Sequence, residues 1–311
     1  MQDWRPTTAL CALEDRASLL QQIRRFFEQR QVLEVCTPQL AACGVTDPHV
    51  PCIPVPGYGY LQSSPEYHMK RLLAAGAPAI YQISHVFRDA EQGPRHNPEF
   101  TLLEWYRPGF SLDQLIDECV TLMQSLLAPS GVIRLTFRDL FRQHTGLDPL
   151  TGDLAAMTRQ AREQGLTESL SRAQLVDLLM ATRVERALPA DQLVVVTDFP
   201  GWAAALAQTR TDTDGETVAC RFECYFAGQE LANGYLELTD AQEQAQRFAT
   251  DRSLRRELGL TDMAADPALL AALSHGLPDC AGVAVGLERL LMARRRADDI
   301  SEVWSFPAGR A

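Results

Sequence analysis

The chain has 311 residues, 46% of them hydrophobic and 22% charged, as expected of a globular protein with one large domain or two average ones. Its formal charge of −11 repels the phosphate backbone that supplies most non-specific nucleic-acid affinity, so no large nucleic-acid footprint is expected. No run of the sequence nears the roughly 18 apolar residues that span a bilayer, so no membrane partner is expected.

Met1-Gln2-Asp3-Trp4-Arg5-Pro6 lacks the basic-then-apolar order of an export signal, and the chain is expected in the cytoplasm. Eight scattered cysteines without a Cys-x-x-Cys pair are read as structural rather than as zinc ligands. Leu13, Leu19, Leu20, Ile23, Phe26 and Phe27 recur at helical spacing and predict an amphipathic helix over about 14–31. Val32–Val35 is a short strand stopped by Pro38. Ala79–Arg88 and Glu99–Tyr106 form an antiparallel hairpin around a long polar loop, Asp89–Pro98. Ser111 and Gln114 make a capping box for the next helix. Residues 150–215 are mixed, with a strand at Leu193–Val196, and are expected to form a peripheral insertion in a single domain spanning 1–311. Val218–Phe226 and Glu230–Leu238 are strands joined by Ala227-Gly228-Gln229. Thr239 opens a polar helix closed by Gly259, and Gly282–Gly286 is a strand running into a helix, Leu287–Arg295. Antiparallel strands between helices, without regular β-α-β alternation, argue for an α+β fold around a mixed sheet. No Gly-x-x-x-x-Gly-Lys-Ser/Thr loop is present to hold ATP.

Three segments carry the chemistry. On the strand from Glu99, alternation puts Phe100, Leu102, Glu104 and Tyr106 on one face, an aromatic ring, a carboxylate and a phenol suited to a flat base and an amine. Arg88 ends the preceding strand, where a guanidinium can grip a phosphate through two parallel hydrogen bonds. Glu230 and Glu237 are candidate Mg²⁺ ligands. Seven residues apart, they converge only if the strand bulges, which Asn233-Gly234 permits. In the third segment a glycine-containing strand leads into a helix whose first turn carries Arg289, where phosphate would also meet the positive helix end.

Together these segments resemble class II aminoacyl-tRNA synthetases, most closely lysyl-tRNA synthetase. The first helix, strand and Pro38 resemble motif 1, Phe87-Arg88 through Asn97-Pro98-Glu99-Phe100 motif 2, and Gly286-Leu287-Glu288-Arg289 motif 3. Ser64-Pro65-Glu66 and Glu230 through Glu237 match the lysine-type subgroup. The helix begins too near Met1 for an anticodon-binding barrel, an arrangement similar to the short paralogues that lysylate elongation factor P. The resemblance implies ATP-dependent activation of lysine, with (R)-β-lysine preferred, and transfer to a lysine side chain of elongation factor P. It implies Arg88 and Arg289 as catalytic residues on the α- and γ-phosphates. Phe100 would stack on adenine, with Asp89, Ala90 (through its backbone), Asn97, Leu231 and Gly286 around the nucleotide. Mg²⁺ would sit on Glu230 and Glu237, and Ser64, Pro65, Glu66, Tyr106 and Glu237 would surround the amino acid. Motif 1 implies a homodimer. Two departures stand out: Ala90 replaces the usual motif 2 glutamate, whose contact neighbouring Glu91 could supply, and Ala284 stands where lysyl-tRNA synthetases have glycine. A truncated ligase for tRNA or a small acceptor, and a non-catalytic lysine-binding regulator, are the alternatives.

Overall fold

A computed structural model describes residues 4–311, so Met1, Gln2 and Asp3 of the leader reading lie outside the described residues. The chain divides into two compact units, Met1–Leu127 with Glu237–Ala311, and Ala128–Leu236. The stretch read as an insertion, 150–215, lies within the second.

The first unit opens with α1 (Leu10–Glu28) and the short strands β1 (Leu33–Glu34), β2 (Leu40–Ala41), β3 (Pro54–Val55) and β4 (Gly59–Leu61). Then come α2 (Glu66–Ala74), β5 (Ile80–Phe87), β6 (Glu99–Pro108) and α3 (Leu112–Leu127). α1 runs over 10–28 rather than 14–31, because the chain leaves the helix at Gln29 and turns through Gln31 at φ +54°. It buries Leu19, Ile23, Phe26 and Phe27, while Leu13, expected inside, is 40% exposed. Phe27 stacks on Tyr81 at 4.4 Å and meets the edge of Trp105 at 5.3 Å, which fixes α1 against the back of β5 and β6. Burying such a ring stabilises by about 1.5–3 kcal/mol. The Ser111–Gln114 capping box forms as expected.

The second unit carries β7 (Val132–Thr136), α4 (Phe137–Thr145), α5 (Leu154–Glu163), α6 (Arg172–Leu179), β8 (Leu193–Pro200), β9 (Thr209–Thr211), β10 (Thr217–Phe226) and β11 (Gln229–Leu236). β7 pairs parallel with β8, and β8, β10 and β11 run antiparallel, over a core that includes Phe137, Phe141, Leu175 and Val196. The β10–β11 turn holds two residues, not three: Ala227 and Gly228 both take positive φ, the twist that a tight hairpin requires, and Gln229 is already in the strand. The bulge also falls elsewhere than expected. Cys224 faces Ala232 and Tyr225 faces Glu230, so the extra residue is Leu231, while Asn233 and Gly234 pair regularly.

The chain returns to the first unit through α7 (Ala241–Glu257), α8 (Pro267–Gly276), β12 (Cys280–Gly286) and α9 (Leu287–Arg295). α7 is capped by Asp240 rather than Thr239, the carboxylate accepting from the amides of Gln242 and Glu243. β5, β6 and β12 are consecutive antiparallel neighbours, with β1 parallel on β5. Mixed, mostly antiparallel strands flanked by helices give the α+β fold anticipated. Four cysteines are buried, but Cys11 and Cys36 are exposed and so do not fill a core. Among the described residues no helix is long and apolar enough to cross a membrane.

Candidate active site

β6 carries the expected face. Its register sets Tyr106 beside Gly282 and Glu104 beside Ala284 on β12, with Gln82 of β5 on the other flank of Glu104. Glu104 is 2% exposed and accepts hydrogen bonds from Ser64 Oγ at 2.9 Å and from the Tyr106 hydroxyl at 2.8 Å. Ser64 Oγ accepts from the amide of Glu66 at 3.0 Å, which starts α2 and aims the Glu66 carboxylate along the helix. One turn on, Lys70 Nζ donates to Glu66 Oε1 at 2.7 Å and reaches Glu237 Oε2 at 2.6 Å. Ser64, Glu66, Tyr106 and Glu237 thus lie in one chain of contacts, with Pro65 as the N-cap of α2. The structure adds Glu104 and Lys70.

Glu66 and Glu237 on one ammonium, with the buried Glu104 close to both, make this pocket acidic. Burial and the charge of Glu66 push the Glu104 carboxyl up to about 8, and burial pushes Glu237 up to about 7 against the pull of Lys70. Burial opposes the Lys70 ammonium, but Glu237 and Glu66 outweigh it and hold its pKa above the usual value. Burial and Glu104 raise the Tyr106 phenol well above its ordinary range, so it stays protonated and donates.

Gly282 forms the floor. A Cβ there would lie 2.4 Å from Tyr106 Cε1 and 2.5 Å from Glu237 Oε1, both held by their own partners. Gly282→Ala is therefore expected to cost about 1–3 kcal/mol as overpacking, read as a lower urea midpoint at unchanged slope.

The second constellation is basic. Arg88 Nη1 lies 3.5 Å from Glu91 Oε1, and its guanidinium stands 5.1 Å from the centre of the Phe100 ring. Asp89 Oδ1 accepts from the amide of Ala90, which takes φ +57°. Arg289, in the first turn of α9, meets His96 Nε2 at 2.7 Å. Partial burial, then the charges of Arg289 and Arg88, push the His96 pKa down. Both arginines thus act on one side chain that the sequence reading passed over. Gly286 is the N-cap of α9, and a Cβ there would meet nothing closer than 4.0 Å. Asn97 donates from Nδ2 to Glu99 O at 2.6 Å and accepts at Oδ1 from the amide of Ala308, so its amide shapes the hairpin loop.

Glu230 and Leu231 belong to the second unit, at the bulge of β11. There Glu223 accepts from Arg221 and from the Tyr225 hydroxyl, and Glu223 and Glu230 together raise the Arg221 and Tyr225 pKa values against or beside burial. Among the described residues no group of three or more His, Cys, Asp or Glu is placed to hold a metal ion.

The sequence profile of the family described as tRNA synthetases class II (D, K and N) matches residues 2–310. The chain is 45% identical over 319 residues to a Mannheimia succiniciproducens protein named elongation factor P–(R)-beta-lysine ligase, covering 99% of this chain and 98% of that relative. A protein of that name from Sodalis glossinidius is 44% identical over 321 residues, and one from Yersinia enterocolitica 43% over 323, each with 99% and 98% coverage.

Proposed function

Because the chain belongs to the class II tRNA synthetases of the D, K and N type, we propose that it activates lysine, with (R)-β-lysine preferred, and transfers it to a lysine side chain of elongation factor P. The observation that carries this reading is an acidic pocket in which Glu66 and Glu237 pair with Lys70 and the buried Glu104 stands close enough to feel both carboxylates. Such a pocket takes a diamino acid and rejects an uncharged one, because leaving one member of a buried pair alone costs roughly 3–5 kcal/mol. The names of the relatives, which match over nearly their whole length, support the same acceptor.

The lysine carboxylate attacks the α-phosphorus of ATP, pyrophosphate leaves, and an amine of the acceptor then displaces AMP from the acyl-adenylate. No covalent enzyme nucleophile is needed; positioning and charge neutralisation suffice. Arg88 steadies the α-phosphate while Phe100 behind it stacks on adenine, and Arg289 takes the γ-phosphate. Asp89 and Ala90 contribute from the loop, with Glu91 serving where motif 2 lacks its glutamate. Asn97 sets the loop, and Gly286 borders the nucleotide. Ser64 and Tyr106 hold Glu104, and Pro65 starts the helix that presents Glu66.

For Mg²⁺, Glu237 fits poorly, since Lys70 already sits where a second cation would go. Glu230 is the remaining candidate, on the β10–β11 hairpin where Glu223 is already taken by Arg221. Mg²⁺ held there would neutralise phosphate charge. Exposed Leu10, Leu13 and Leu33 offer an apolar surface for the two-fold contact of a homodimer. The charge of −11 speaks against tRNA as the acceptor.

Lysine-dependent pyrophosphate exchange tests the reading; its absence with every lysine isomer would favour a non-catalytic lysine-binding regulator. The methyl of Ala284 stands beside Glu104. Ala284→Gly is expected to raise exchange with α-lysine relative to β-lysine, and an unchanged ratio would remove Ala284 from isomer choice.

A further inference from the structure

We propose that Lys70 is a positioning residue of the amino-acid pocket, a built-in counter-ion that orients Glu66 and Glu237 toward a diamino acid. This rests on the lysine-activating reading above. Lys70 is 1% exposed, and its Nζ lies 2.7 Å from Glu66 Oε1 and 2.6 Å from Glu237 Oε2. It is also the only lysine among 29 basic residues. The i,i+4 spacing places Glu66 and Lys70 on one face of α2, while Glu237 arrives from a distant part of the chain.

A compact ammonium with three donors can serve two carboxylates at once, where a planar guanidinium would need more room. The pocket's charged and titratable groups are Glu66 on α2, Glu104 and Tyr106 on β6, Glu237, and Cys280 on β12. Three carboxyl groups against one fixed ammonium leave acidic groups in excess, which the ammonium groups of a diamino acid would hold in their charged form. Remove Lys70, and Glu66 and Glu237 lose the cation that stands between them. The substrate must then reassemble carboxylates that Lys70 holds ready. Lys70 thus lowers the cost of binding without touching the reacting atoms, since Arg88 and Arg289 serve the phosphates.

The test is Lys70→Ala in the full chain, assayed by pyrophosphate exchange over a lysine titration, with propylammonium or 1-propanol added. Propylammonium is the charged fragment that the substitution removes, and propanol is its uncharged match in size. The expected result is a KM for lysine raised about 10²-fold, the low end of what an orphaned buried charge costs. The KM for ATP and kcat at saturating lysine should hold, and propylammonium but not propanol should restore the KM. Equal rescue by both, or by neither, would overturn the proposal in favour of plain packing. Lys70→Met, which keeps the apolar stem, covers the case in which the alanine variant does not fold. It should show the same rise in KM for lysine, and a wild-type KM would overturn the proposal. A wild-type chain without lysine-dependent exchange overturns the functional reading and this proposal together; wild-type exchange with unaltered variants overturns this proposal alone.

Discussion

Arg88→Ala is expected to lower lysine-dependent pyrophosphate exchange by about 10²–10³-fold, the usual loss when one donor to a developing oxyanion is removed. The side chain is half-buried at the end of β5, and Glu91 and the Phe100 ring hold its guanidinium in place. Arg289 is engaged with His96. Arg88→Lys should recover little, since a point charge cannot reproduce the two parallel hydrogen bonds of a fork to phosphate. Exchange rate against ATP concentration, with circular dichroism as a check on folding, measures the effect. A loss of less than tenfold would place the α-phosphate elsewhere.

Glu237→Met is expected to lower stability by roughly 3–5 kcal/mol, as removal of one member of a buried ion pair does. Glu237 is 1% exposed and lies 2.6 Å from Lys70, so its loss leaves Lys70 with Glu66 alone. The double variant Glu237→Met with Lys70→Met should unfold at a higher denaturant concentration than Glu237→Met, because the fully buried ammonium goes with its buried partner and Glu66, 16% exposed, keeps access to water. Urea unfolding of the two proteins makes the comparison. A double variant less stable than the single would mean that the two side chains contribute independently.

Much of this architecture was legible in the sequence because it is local. The β5–β6 hairpin with its long loop, the Ser111 capping box and the passage from β12 into α9 follow from alternation, cap residues and the motifs themselves. Details decided by competing local choices were not. Thr239 and Asp240 can both cap a helix, and the carboxylate takes the amides. Asn233-Gly234 permits a bulge, yet the strand shifts register at Leu231. Leu13 fits the helical period of α1, but its side of the helix faces outward.

In the site, strand alternation placed Glu104 and Tyr106 on one face, and motif resemblance supplied Ser64, Glu66 and Glu237. The shared contact of Glu66 and Glu237 with Lys70 depends on bringing a distant segment against α2, which no local pattern encodes. A single lysine four residues after Glu66, in a chain that otherwise uses arginine, was the available signal. His96 was harder to find, because its partnership with Arg289 arises only when α9 packs near the hairpin loop.

The most direct measurement is the intact mass of elongation factor P after incubation with this chain, ATP and each lysine isomer in turn. The account predicts a gain of one lysyl group, most complete with (R)-β-lysine and absent without ATP. An unchanged mass with every isomer, beside labelled tRNA in a parallel reaction, would contradict it.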